Sequence, residues 1–116
     1  MISIHQGDLT IAEPHAGHDP STGNIRRHFL VVSNHSYNQR SGLVCGLAIT
    51  HIHRESPYRF PIMDFASGTN GDVLLLQLLS YDFVARHGKV IGHIRDQHQL
   101  QVILNQVRHI FDKETS

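Results

Sequence analysis

Residues 27–34 read Arg27-His28-Phe29-Leu30-Val31-Val32-Ser33-Asn34, four consecutive apolar residues bracketed by polar ones. A run this short, without the 3–4-residue spacing of a helix face or the alternation of a half-buried strand, is read as a strand over residues 28–33 buried on both faces. Outward from it, the polar residues 34–42, with Asn38 and Gly42, form a connection, and Leu43–Thr50 (LVCGLAIT) forms the next strand. Gly46 in its middle marks a bulge, a bend or a close backbone approach. Residues 58–64 and 72–79 bracket Ser67-Gly68-Thr69-Asn70-Gly71 and read as a hairpin. Upstream, Asp8–Ala12 is a short first strand, followed over residues 13–26 by a long loop rich in proline, glycine and serine. Lys89–His93 is a short last strand. The period then changes: Leu100, Ile103, Leu104, Val107, Ile110 and Phe111 form a helical stripe, predicting one amphipathic helix over 96–112 that packs on the sheet. Asp96 supplies its N-cap and Lys113 lies at its C-terminal end. Five to six short strands closed by a helix make a mainly β protein built as a small, strongly bent sheet or barrel.

The chain has 116 residues, 40% hydrophobic and 17% charged, which is the composition of a packed domain and not of a disordered segment. With no repeat, low-complexity tract or linker, one domain over residues 1–116 is expected. Ten basic residues balance ten acidic ones, so any polyanion must be met by a local patch. The 11 histidines make the charge sensitive to mild acid. Cys45 is the only cysteine and reads as a small buried hydrophobe. No disulfide framework, signal-peptide core or membrane-length apolar run is evident, so a cytoplasmic protein is expected.

The order of short motifs resembles a known family. Gly7-Asp8-Leu9 opens the chain, Gly17-His18-Asp19 follows, and Arg27 leads into Phe29-Leu30-Val31-Val32-Ser33-Asn34. Ala48-Ile49-Thr50 closes the next strand, Asp72-Val73-Leu74-Leu75-Leu76-Gln77 comes later, and Ala85-Arg86-His87-Gly88 through Ile91-Gly92 precedes the helix. This series, covering Gly7 to about Phe111, is similar to the MazF/PemK (Kid) toxins of type II toxin-antitoxin systems, with their "GD" start, "G-x-E" loop, "R-P-x-x-V-x-S" strand and "P-I-T" strand end. The resemblance implies an SH3-like barrel of the MazF/CcdB type with a C-terminal helix. It further implies a homodimer, sequence-selective cleavage of single-stranded RNA without metal or other cofactor, and a cognate antitoxin as protein partner. It also implies that Arg27 and Thr50 form the catalytic pair.

Those residue types suit the chemistry. Attack of a ribose 2′-OH on the neighbouring phosphate builds negative charge on a five-coordinate phosphorus, and a guanidinium stays ionised while donating two parallel hydrogen bonds to phosphate oxygens. A β-branched threonine offers a short, stiff hydroxyl to orient the phosphate or the 2′-OH. By residue type alone, Arg27 is a surface cation or a partner for Asp19, and Thr50 a good strand former. Asp19 occupies the place of the family's loop acid, and equally suits an Asx turn before Pro20. Ser33, Asn34, Gln77 and Arg86 are candidate RNA contacts, with plain strand-end, turn-opening or strand-interrupting roles as the alternatives. His28 and His51 are candidates for general acid or base, although strand neighbours of Arg27 and Thr50 point to the opposite face. His51 and His53 alone fall short of a metal site, which needs three or four ligands.

Four positions depart from the family pattern: His28 stands in place of the proline, Leu76 of the acid before Gln77, Leu79 of a basic residue, and Ala48 of the "P" in "P-I-T". The changes at 76 and 79 remove polar groups from the implied groove, predicting altered RNA affinity or preference. The alternative function is a non-catalytic relative, either a CcdB-like gyrase poison, which does not need the Arg27 and Thr50 pair, or an RNA-binding regulator.

Overall fold

The computed structural model describes residues 3–13 and 26–115. Asp19 and most of the loop that carries it therefore lie outside the described residues. The elements are β1 (Asp8–Ala12), β2 (Arg27–Val31), α1 (His35–Ser41), β3 (Leu43–Thr50), β4 (Arg59–Asp64), β5 (Thr69–Asp82), β6 (Lys89–His93) and α2 (Gln97–Ile110). The strands make one antiparallel six-stranded sheet in the order β4-β5-β3-β2-β1-β6. β1, β3 and β6 have the bounds expected from sequence; β5 is much longer, because its pairing with β3 continues to Asp82.

The apolar run of β2 feeds two cores. Leu30 and Val32 join Leu9, Leu47 and Val73 beneath α2, while Phe29 and Val31 join Val44, Tyr81 and Phe83 on the other side of the sheet. Both faces are buried, which is why the sequence shows no alternation. The sheet curls so that its last strand returns to its first hairpin: a Cβ on Gly92 of β6 would sit 2.8 Å from Ser67 Cβ in the β4–β5 turn. Only a residue without a side chain allows that approach.

Strand β5 bends at a wide bulge. Between the pairs Leu47–Leu78 and Ile49–Val73, β3 contributes Ala48 alone while β5 contributes Leu74, Leu75, Leu76 and Gln77. The surplus residues cannot stay in the ladder, so Leu76 and Gln77 are thrust outward and exposed. Gly46 does not bulge; it lets the Tyr81 hydroxyl and the Leu30 carbonyl approach, 3.2 and 3.3 Å from where a Cβ would stand.

The connection expected over residues 34–42 contains the helix α1. Asn34 caps it by accepting the Tyr37 N–H at 2.9 Å, and Gly42 ends it at φ 73°. With a single buried residue, Asn38, it has no apolar stripe to announce it. In α2, Asp96 accepts the N–H groups of His98 and Gln99, and Leu100, Ile103, Leu104 and Val107 pack into the core. The end of the stripe does not pack as expected: Ile110 and Phe111 are exposed, because the helix runs past the edge of the core it covers. Cys45 is partly buried against the same core.

Candidate functional site

β2 and β3 pair with His28 opposite Ile49, so the next residue outward on each, Arg27 and Thr50, fall opposite one another on the same face. Both line a groove of about 670 Å³, together with Arg26, His28, His51, Ile52, Thr69, Asn70, Leu74, Gln77 and Leu79. Arg26 and Arg27 are both exposed, giving this end of the sheet two adjacent cations. The hydroxyl of Thr50 accepts the Ile52 N–H at 3.3 Å, which leaves its own hydrogen to donate. Thr50 is held from behind by Gly71, where a Cβ would stand 2.2 Å from the Thr50 carbonyl oxygen.

The histidines divide. His28 is half-buried on the face opposite Arg27, yet still borders the groove, and its Nδ1 lies 3.5 Å from Thr69 Oγ1, which in turn accepts a hydrogen bond from Ser67. His51 is exposed at the rim. His53 is instead tied to acids, its Nδ1 2.8 Å from Asp72 and its Nε2 3.1 Å from Glu55. Only the imidazolium donates from both nitrogens, and the Asp72 and Glu55 hydrogen bonds raise its pKa above the ordinary 6.5.

Asp72, the strand partner of Thr50, is a buried carboxylate whose place in the site the sequence reading missed. It accepts from His53, from the Arg54 N–H at 3.0 Å and from Arg59 Nη1 at 3.4 Å. Burial alone would push its pKa up; the His53 hydrogen bond, the Arg54 N–H and Arg59 outweigh that and hold it below 3.8. The available signal was an acid heading the apolar run Asp72-Val73-Leu74-Leu75-Leu76, which must find partners if the run is buried.

Of the candidates from sequence, the structure gathers Arg27, Thr50, His28, His51 and Gln77 around one groove. Ser33, Asn34 and Arg86 do not line it. The Ser33 hydroxyl donates to Asn38 Oδ1 and accepts the Cys45 N–H, and Asn34 is the α1 cap. The Arg86 guanidinium lies 5.5 Å from the centre of the Tyr81 ring. The Leu76 and Leu79 positions belong to the β5 bulge and its exit, where Leu79 and Gln77 form an apolar and amide wall in place of charges.

This arrangement coincides with a match to a described family. Residues 5–111 match the family of PemK-like, MazF-like toxins of type II toxin-antitoxin systems. The chain belongs to that family. The fold agrees: a MazE-MazF complex from Deinococcus radiodurans superposes with a TM-score of 0.78 at 19% identity, covering 98% of this chain and 100% of that one. MazF from the same organism gives 0.77 at 22% identity over 96% and 98%. An endoribonuclease in complex with its cognate antitoxin, from a mycobacterial species, gives 0.71 at 15% identity over 92% and 96%. Comparison with curated protein sequences returns no significant match. Among the described residues no helix is long and apolar enough to cross a membrane.

Proposed function

We propose that this toxin-family protein is a metal-independent, sequence-selective endoribonuclease for single-stranded RNA, with Arg27 and Thr50 as its catalytic residues. The observation that carries the reading is their placement at neighbouring strand ends, where both line one groove. The RNA ribose supplies its own nucleophile: the 2′-oxygen bonds to phosphorus, the bond to the 5′-oxygen breaks, and a 2′,3′-cyclic phosphate remains. The 2′-hydroxyl proton passes to a base and the leaving 5′-oxygen takes one up; His28 and His51, both at the groove, are the candidates for these roles. Arg27 neutralises the charge gathering on the phosphate oxygens, a contribution of about 3–4 kcal/mol for a preorganised donor. Thr50 orients the phosphate or the attacking hydroxyl through its free O–H. Gln77 contacts a base from the bulge, and Arg26 adds a backbone phosphate contact.

The same reading makes the protein a single-domain homodimer of the cytoplasm, restrained by a cognate antitoxin of the kind seen with its structural neighbours. Incubating the purified protein with long single-stranded RNA in EDTA and mapping the cut ends tests it. Discrete cuts carrying 2′,3′-cyclic ends are expected, and Arg27→Ala should remove them. Intact RNA across several sequences, or undiminished cutting by the variant, would overturn the nuclease or the site respectively.

A further inference from the structure

Beyond the catalytic pair, we infer that Asp72, together with His53 and Arg59, is a positioning unit that fixes the Thr50 hydroxyl by gripping the loop behind it, an inference that rests on the nuclease reading of the groove. The links are continuous. The Thr50 hydroxyl accepts from the Ile52 N–H at 3.3 Å, and Arg59 Nη1 donates to the Ile52 carbonyl at 3.0 Å. Arg59 also reaches Asp72 at 3.4 Å, and the same carboxylate takes His53 Nδ1 and the Arg54 N–H, from the two residues that follow Ile52. The Ile52 carbonyl and the chain just after it are thus held by groups anchored on one buried acid, while the Ile52 N–H holds the hydroxyl that faces the groove.

Burying a carboxylate is costly unless its oxygens are satisfied, and here both are satisfied by the loop and by Arg59. What its burial provides is a fixed anchor for an otherwise exposed loop: His51, Ile52, His53, Arg54 and Glu55 all face solvent. The charged or titratable groups around His53 are Asp72 from β5, Arg59 from β4, and Glu55, Arg54 and His51 of the loop itself. With both its nitrogens donating, His53 holds Asp72 and Glu55 together only as the imidazolium. The grip on the loop is complete below the ordinary histidine range and weakens as pH rises through the raised folded value.

The test compares wild type, His53→Gln and Asp72→Asn. His53 is more than half exposed, so His53→Gln keeps the fold, whereas Asp72→Asn alters a buried site. Steady-state cleavage across the pH range gives kcat and KM, and amide resonances of Thr50 and Ile52 are followed over the same range. A slack hydroxyl is expected to lower kcat by roughly 10- to 100-fold in Asp72→Asn with KM largely unchanged, since small misplacements of reacting groups have effects of this size. Any limb set by His28 or His51 is common to both proteins, whereas the wild-type profile should carry an additional fall with rising pH that His53→Gln lacks, and the Thr50 and Ile52 resonances should titrate with His53 only in wild type. Superimposable pH profiles with resonances indifferent to His53 would overturn the positioning unit. If wild type cuts no RNA while those resonances still follow His53, the nuclease reading fails and the mechanical link stands.

Discussion

The two ends of the β2–β3 pair carry polar clusters of opposite character. At one end Asn38 is fully buried, its Nδ2 donating to the carbonyls of Ile4 at 2.9 Å and Ser33 at 3.2 Å while its Oδ1 accepts from Ser33. Ser33 in turn takes the Cys45 N–H. Every polar atom there is spent on the fold, tying the N-terminal segment and α1 to the strands. At the other end, Arg27 and His51 are exposed and the Thr50 hydroxyl keeps a donor in reserve. Polar groups saturated by one another hold structure; polar groups held in place with bonding capacity left over are available to a ligand. Ser33 and Asn34 were candidate RNA contacts by residue type, and their partners in the fold show them engaged in structure instead.

The two ends can be separated by variants that should affect one without the other. The largest expected effect is Arg27→Ala, which should reduce cleavage by two to three orders of magnitude, equivalent to about 3–4 kcal/mol, while leaving the thermal midpoint in place. Its mirror image is Asn38→Ala, expected to cost about 1–3 kcal/mol in a denaturant titration because the Ile4 and Ser33 carbonyls lose the buried amide donor and Ser33 loses its acceptor, with cleavage per folded molecule preserved. Loss of cleavage in the refolded, fully native variant would show the two ends to be coupled. Gly71→Ala sharpens the picture, since its Cβ would meet the Thr50 carbonyl at 2.2 Å and the His51 Cα at 3.1 Å. The backbone under Thr50 must move, so both stability, by about 1–3 kcal/mol, and cleavage should fall together.

The smallest effect is read from pH. Asp72 has a lowered folded pKa, so its contribution to stability is present above the ordinary 3.8 and is lost as pH falls through the folded value. The stability gap between wild type and Asp72→Asn should therefore be constant at mildly acidic pH and close below about pH 4 in urea titrations. A gap that persists unchanged at lower pH would mean that the carboxylate charge is not what holds the loop. The Asn38→Ala gap should not close in the same way, as no carboxylate is among the partners of Asn38.

Much of this molecule is dictated by the sequence itself. The apolar run Phe29-Leu30-Val31-Val32 required a doubly buried strand, the period of Leu100, Ile103, Leu104 and Val107 required a helix with one buried stripe, and the ordered motifs pointed to the toxin family that the chain matches. These are local or periodic signals, fixed by backbone geometry and by which side chains water rejects. Contacts between distant segments were not legible. That α1 exists depends on Asn34 and Gly42 as caps and on Asn38 finding Ile4, 34 residues away. That β5 expels Leu76 and Gln77 depends on a register shift against β3, and that Asp72 stands behind Thr50 depends on strands paired across 21 intervening positions. Burial, partners and register belong to the folded chain. For that reason the tertiary structure alone decided which polar residues are consumed by the fold and which, like Arg27 and the Thr50 hydroxyl, are left facing the groove.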